Sequence, residues 1–180
     1  MSVPAFVALF FQEGQAARIF LEISFATMVT GGAMVIMMRG TNKTMTHKDA
    51  FLLTFLTWSV LSIIGSLPLY FTGAAPTFID GLFESVAGIT TTGASVLSGL
   101  DSMDHGVLLW RSMLQWIGGM GIIVLAVAVL PFLGIGGMQL YRSEMPGVTK
   151  DKLQPRIKDT AKLHWIVYLV LTILCAAAYS

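Results

Sequence analysis

Between two long apolar runs lies the segment Pro76-Thr-Phe-Ile-Asp-Gly-Leu-Phe-Glu-Ser-Val-Ala-Gly-Ile-Thr-Thr-Thr-Gly-Ala94. Thr77 and Asp80 have the spacing of a capping box, so a helix is predicted to begin just after Pro76. Apolar residues then recur at helical spacing, and Gly88 marks a place where that helix can end. The predicted helix has about 13 residues and a length close to 20 Å, which is too short to cross a bilayer core of about 30 Å.

A helix that stops partway through a membrane is followed by non-helical backbone, which is tolerated only where protein or a watery cavity surrounds it. The segment therefore predicts a re-entrant loop beside a pore. The helix would aim the negative end of its dipole into the membrane, which favours a cation. The residues that follow would offer backbone carbonyls in place of the hydration shell of a potassium ion; they are Thr90, Thr91, Thr92 and Gly93. Gly93 can adopt a conformation closed to residues with a Cβ, which lets adjacent carbonyls point the same way.

Two other interpretations of this loop compete with the pore loop. A threonine-rich turn between membrane helices is, taken alone, more often a simple connection. The short helix, the capping signal and the acidic flanks together favour the pore loop. Gly88 and Gly93 have the spacing of a nucleotide-binding loop, but Ala94-Ser95 stands where that motif requires Lys-Ser/Thr, so no nucleotide site is predicted.

Two carboxylates of the short helix are further candidates for the site. Asp80 and Glu84 are four residues apart and share a helix face. Two roles are open to them: a rim that attracts cations to the outer mouth, or hydrogen bonds to the loop backbone.

The composition around this segment is that of an all-α integral membrane protein. Hydrophobic residues make up 55% of the 180 residues and charged residues only 12%, against about 25% in an ordinary soluble domain. Apolar runs predict membrane spans over residues 19–38, 51–71 and 112–141, and a further span that begins at residue 163. The run over residues 3–11 is too short to span, and we expect it to be the end of a helix; both ends of the chain are expected to be truncations.

The charges predict an orientation. Basic residues cluster within residues 39–48 and 142–162, whereas none lies between Thr72 and Trp110, where several acids occur. The positive-inside rule places the basic segments in the cytoplasm and the acidic segment outside. A membrane-embedded enzyme is disfavoured because neither Gly-x-Ser-x-Gly nor His-Glu-x-x-His occurs. The basic residues form no continuous patch, so no nucleic-acid partner is expected.

Four motifs carry a resemblance to a known family. They are Phe83-Glu-Ser-Val-Ala-Gly-Ile-Thr-Thr-Thr-Gly-Ala94, Leu100-Asp-Ser-Met, Met113-Leu-Gln-Trp-Ile-Gly-Gly-Met-Gly-Ile-Ile-Val-Leu-Ala-Val-Ala-Val-Leu-Pro131 and Gly137-Met-Gln-Leu-Tyr-Arg-Ser-Glu-Met-Pro-Gly147. With these motifs the chain resembles the membrane subunits of bacterial Trk potassium uptake systems, in the Trk/Ktr/HKT superfamily. The first 50 residues resemble the family only loosely.

The resemblance implies four helix–pore loop–helix (M1-P-M2) repeats in one polypeptide, around a single pore. Residues 1–50 would hold a partial leading transmembrane helix, a second one and a cytoplasmic linker. Residues 51–141 would be the first repeat, residues 142–162 a basic cytoplasmic linker, and residues 163–180 the start of the second repeat. The ion-contacting carbonyls would be those of Thr91 and Thr92, flanked by Thr90 and Gly93.

The function that the resemblance implies is potassium uptake across the bacterial inner membrane by a multi-pass member of a symporter family. It implies no cofactor, with K⁺ as the transported ion. The expected partners are membrane lipid, the remaining repeats, a second copy in a homodimer and a cytosolic nucleotide-binding regulator of the TrkA type. The alternative is a subunit of a tetrameric potassium channel, which the single filter motif permits and the extra leading helices oppose.

Overall fold

A computed structural model of the chain describes residues 1–39, 47–133 and 153–179. The regular secondary structure of these residues is entirely helical, which confirms the all-α prediction. The helices are α1 (Ser2–Phe10), α2 (Gly14–Met37), α3 (His47–Phe71), α4 (Phe78–Ile89), a 3-10 turn (Leu100–Ser102), α5 (His105–Leu133) and α6 (Leu153–Tyr179). They form two compact units, Met1–Gly118 and Gly119–Ser180, and the first contains the predicted pore loop.

Among the described residues, three helical segments are long and apolar enough to cross a membrane: Gly14–Met37, Phe51–Phe71 and Lys162–Tyr179. They match three of the predicted spans. The fourth, over residues 112–141, coincides with α5 as far as Leu133, and its remainder lies outside the described residues. Helices α2, α3 and α6 all begin before their apolar runs. Apolar runs indicate the part of a helix suited to lipid, whereas the backbone hydrogen bonds of the helix continue through the polar residues beside it.

The short helix α4 begins where its capping signal predicts. Thr77 has extended backbone, and its Oγ1 accepts a hydrogen bond from the Asp80 backbone N–H at 3.2 Å. In return, the Thr77 backbone N–H donates to Asp80 Oδ2 at 3.2 Å. This reciprocal pair satisfies two donors that a helix start otherwise leaves without partners. The helix is 12 residues long, so the predicted short helix is confirmed.

Glycines let α4 approach α3 and α5 closely. A Cβ added to Gly65 of α3 would collide with Ser85 Oγ, and one added to Gly118 of α5 would collide with the Ile89 backbone. Gly88 of α4 lies against α5, where an added Cβ would be 3.0 Å from Leu114 Cβ. Close contact through small residues is typical of helix pairs in membranes, where van der Waals packing drives association. The last turn of α4 therefore packs directly on α5.

The core of the first unit surrounds this contact. Phe20 of α2, Leu69 of α3 and Ile89 of α4 are buried together with Trp110 and Leu114 of α5. The Trp110 indole N–H donates to the Gly65 carbonyl at 2.9 Å, which satisfies its polar atom within the core. Helices α3 and α5 thus pack directly against α4, and Phe20 of α2 completes the same core.

The turn between α1 and α2 is attached to the start of α5. Glu13 accepts hydrogen bonds from the backbone N–H groups of His105 at 2.7 Å and Gly106 at 3.0 Å. His105 Nδ1 lies 2.8 Å from the same carboxylate, and the His105 ring stacks on Phe11 with centroids 3.9 Å apart. A carboxylate at a helix N-terminus satisfies exposed N–H groups and complements the helix dipole. Glu13 therefore caps α5 from a distant part of the chain.

Candidate functional site

The predicted filter residues follow directly on α4. The helix ends at Ile89, and Thr90 has φ −80° and ψ 0°. Thr91 has φ +58° and Gly93 has φ +72°, whereas the φ of Thr92 is not positive. The glycine prediction is confirmed at Gly93, but the left-handed backbone of Thr91 was not predicted, because a β-branched residue rarely adopts it.

The N–H groups of these residues are all used by α4. Thr90 donates to Val86 O at 2.9 Å, and Thr91 to Gly88 O at 2.9 Å. Thr92 and Gly93 both donate to Ala87 O, at 2.9 Å and 3.3 Å. The hydrogen bonds therefore satisfy carbonyls that the end of a helix leaves without intrahelical partners.

The carbonyl oxygens of the same four residues, unlike their N–H groups, have no hydrogen-bond partner within the described residues. The loop thus has its donors turned back to α4 and its acceptors available to a ligand, which is the arrangement that a cation requires.

The hydroxyls of Thr90 and Thr92 have local partners. Thr90 Oγ1 donates to Val86 O at 2.8 Å and lies 2.8 Å from Thr92 Oγ1. These hydroxyls stiffen the loop and are already engaged within it. Carbonyl oxygens are therefore the better candidates for ion contact.

The surroundings of the loop suit a pore. Residues 90–96 are all exposed in the isolated chain. In a membrane, exposed backbone carbonyls have to meet protein or water, since lipid offers them no donor. Within the described residues, no three His, Cys, Asp or Glu side chains come together as a metal site.

The structure gives the two candidate carboxylates different partners. Asp80 belongs to the cap of α4 together with Thr77. Glu84 is buried, with a side chain only 2% exposed, and it contacts Ser95, the Leu97 backbone N–H and Arg111. Of the two roles left open for Glu84, this geometry favours the contact with the loop backbone over an exposed rim.

Arg111 is the residue of the site that sequence reasoning missed. It lies 3.3 Å from Glu84 and 3.2 Å from Ser95 Oγ. The signal was available, because Arg111 is a lone basic residue beside a segment that holds only acids, at the start of an apolar run. An isolated charge at that place has to find a partner within the protein.

Comparisons with known proteins place these features in a family. A model of the TrkH family, described as a cation transport protein, matches residues 16–180. The chain is 48% identical over 180 residues to the Trk system potassium uptake protein TrkH of Escherichia coli K12. It is 49% identical over 183 residues to TrkH of Halomonas elongata and 44% identical over 181 residues to TrkG of E. coli K12. Each match covers 99% of this chain and 37% of the relative.

The chain thus spans just over a third of the length of these curated relatives. The relatives carry the names of transport proteins and not of enzymes. The family match and the apolar helices together identify a membrane protein. The chain belongs to the TrkH family of cation transport proteins.

Proposed function

We propose that this chain takes part in potassium uptake, and that residues 90–93 supply one side of the site that selects the ion. The observation that carries the proposal is the hydrogen bonding of the backbone in this loop. Its N–H groups are bonded to α4, while in the described residues its four carbonyls accept no hydrogen bond. A ring of such carbonyls replaces the water around a potassium ion.

The end of α4 adds an electrostatic contribution. The C-terminus of a helix carries a partial negative charge equivalent to about half an elementary charge, and it falls off within about one turn. Thr90 is the first residue after α4, so the loop lies within that distance. Both the helix and the carbonyls therefore favour a cation over an anion.

The choice of potassium as the proposed ion rests on the curated relatives. The names of the curated relatives are those of potassium uptake proteins of Trk systems. At 48% identity over nearly the whole chain, the ion is proposed to be the same. Uptake by way of a larger transporter fits these names, and they lend no support to the tetrameric channel.

The arrangement of the helices around the loop is proposed from the repeat organisation of the family. Residues 51–141 would form one helix–loop–helix repeat, in which α3 and α5 flank α4, and further repeats would complete the ring of carbonyls. Residues 1–50 would precede the repeat, residues 142–162 would link it to the next, and residues 163–180 would begin that next repeat. The transporter would lie in the bacterial inner membrane, with the acidic segment outside.

Two partners are proposed from the family alone. One is a second copy of the transporter in a homodimer. The other is a cytosolic nucleotide-binding regulator of the TrkA type, close to the basic residues between positions 142 and 162. The same basic residues also suit contact with anionic lipid.

A chimera tests the function. These 180 residues would replace the matching segment of a full-length Trk relative, in cells that lack their own potassium uptake systems. The chimera is expected to restore growth at limiting potassium and uptake of rubidium as a tracer, whereas cells with an empty vector show neither. The unmodified relative sets the full rate. A chimera present in the membrane at the level of the relative, but with no uptake above the empty vector, would contradict the proposal.

A further inference from the structure

A buried ion pair lies directly behind the proposed filter loop. Glu84, in the middle of α4, has a side chain that is 2% exposed. A carboxylate removed from water is costly unless it is paired and hydrogen-bonded. Its Oε1 accepts a hydrogen bond from the Ser95 hydroxyl, and the Leu97 backbone N–H lies 3.4 Å from the same oxygen. Glu84 therefore binds the segment by which the chain leaves the loop.

Arg111 of α5 completes this cluster. Its side chain is 20% exposed, and its Nη2 lies 3.4 Å and 3.3 Å from the two oxygens of Glu84. The same nitrogen donates to Ser95 Oγ at 3.2 Å. Ser95 thus accepts from Arg111 and donates to Glu84. One cluster of three side chains joins α4, α5 and the returning segment.

The position of the cluster gives it a specific mechanical effect. Residues 90–93 are held at one end by their hydrogen bonds to the last turn of α4. Ser95 lies only two residues beyond Gly93, so the cluster holds the other end of the same loop. A backbone fixed at both ends keeps its carbonyls at set separations, and ion discrimination by carbonyls depends on their number, field strength and spacing.

The cluster has an electrostatic effect as well. An arginine this close to a cation path would repel cations if it stood alone. Glu84 neutralises that charge within the protein, so the loop gains a rigid attachment without a net positive charge behind it.

We propose that Glu84 and Arg111 are positioning residues for ion selection, which act by holding Ser95 and through it the backbone of residues 90–93. This rests on the proposed function of the loop. It extends the site to a pair of residues that do not contact the ion.

The test uses the chimeric transporter with Glu84→Gln, Arg111→Gln and the double substitution. The readout is the ratio of the sodium and potassium concentrations that halve rubidium uptake. Each single change is expected to lower this ratio by about threefold to tenfold, and the double change is expected to lose less than the two single effects combined, because paired residues are coupled. Arg111→Lys is expected to give an intermediate ratio, since lysine keeps the charge but not the planar guanidinium.

The chain offers a matched control. Arg18 and Glu22 form an ion pair of 2.9 Å, with side chains 81% and 63% exposed. Arg18→Gln removes the same kind of charge from the same unit at a site away from the loop, and the ratio is expected to stay unchanged. Ser95→Ala provides a variant that leaves no charge unpaired. Like the single charge substitutions, it is expected to lower the ratio. It keeps the inference testable if the charge substitutions reduce the amount of folded protein.

The outcomes separate the two proposals. If the substitutions, including Ser95→Ala, reduce uptake only in proportion to the transporter present in the membrane, with an unchanged ratio, the cluster has no role in selection and the inference is overturned. If the unsubstituted chimera takes up no rubidium, the proposed function fails and the inference fails with it. A lowered ratio in Ser95→Ala and both single variants, with a loss in the double variant smaller than the two single losses combined, supports both.

Discussion

Gly93 is the residue at which backbone conformation and proposed function meet most directly. Its φ of +72° is open to glycine, and an added Cβ would have Gln115 Nε2, at 3.9 Å, as its nearest neighbour. The effect of a side chain is therefore conformational and not steric. A left-handed residue other than glycine costs about 1–2 kcal/mol, which the loop can avoid by rotating its carbonyls.

We predict that Gly93→Ser in the chimera lowers potassium-limited growth and the preference for potassium over sodium. The matched control is Gly73→Ser, at a glycine with φ +78° and no atom within 4 Å of an added Cβ. It carries the same conformational cost outside the loop, and its ion preference is expected to be unchanged. Equal ion preference in the two variants would remove Gly93 from the filter.

Thr91 provides a second prediction at the residue scale. Thr91→Val keeps the branched shape and removes the hydroxyl, and we expect nearly full uptake because the carbonyl is the proposed ligand. The φ of +58° adds an expectation that the sequence did not suggest. Thr91→Gly relieves the left-handed strain of about 1–2 kcal/mol and adds an entropic cost of about 0.5–1 kcal/mol, so its stability should change little.

Rubidium uptake and thermal unfolding of the two Thr91 variants measure these effects. If Thr91→Val loses transport while Thr91→Ser remains active, the hydroxyl of Thr91 takes part in transport. The carbonyl interpretation of residue 91 would then be wrong.

At the scale of helices, the contact between α4 and α5 depends on one missing side chain. A Cβ at Gly118 would collide with the backbone of Ile89, which has no flexible end to move aside. Gly118→Ala should therefore displace the last turn of α4, and we predict a destabilisation of about 1–3 kcal/mol, the range typical of overpacking. Because the loop begins at Thr90, directly after Ile89, rubidium uptake should fall as well.

Gly32→Ala is the control for this change. Gly32 also lies within a helix, α2, and an added Cβ there meets nothing within 4 Å. Alanine is favoured over glycine inside a helix by about 1 kcal/mol, so this variant should be as stable as the original chain or more so. Thermal unfolding in detergent compares the two, and equal stability would mean that α4 does not rest on Gly118.

At the scale of the whole first unit, Glu13 joins segments that are more than 90 residues apart. Burial alone would raise the pKa of Glu13. The hydrogen bonds from the backbone N–H groups of Gly106 and His105, with the His105 side chain, outweigh burial and lower that pKa. Because the pKa is lower in the folded chain, the cap stabilises fully above the ordinary pKa of glutamate. It is lost as the pH falls through the lowered value.

We predict that Glu13→Gln destabilises the chain by about 1–2 kcal/mol near neutral pH, because the charge at the start of α5 is lost. The difference from the original chain should shrink as acid protonates the original carboxylate. Thermal unfolding over a pH series measures it, with the exposed Glu22→Gln as the control. A difference that persists undiminished to the acid end would show that the charge of Glu13 is not what caps α5.

The sequence by itself determined the features that depend on neighbours along the chain. The helical content, three membrane spans and the start of α4 at Thr77 follow from hydropathy and from a cap whose partners are three residues apart. The left-handed Gly93 also followed, because only glycine enters that conformation freely. The family was evident from motifs that lie mostly around this loop.

Only the tertiary structure decided the features whose partners are far apart in sequence. Glu84 meets Arg111 across 27 residues, and Glu13 meets His105 across 92. The close approach of Gly118 to Ile89 depends in the same way on how two helices cross. Local sequence patterns do not predict such pairings. The pairings arise when packed helices bring distant polar groups together, and burial requires each group to find a partner. The strained backbone of Thr91 belongs here too, since the packing around α4 and the hydrogen bonds after it hold a conformation that threonine alone would not adopt.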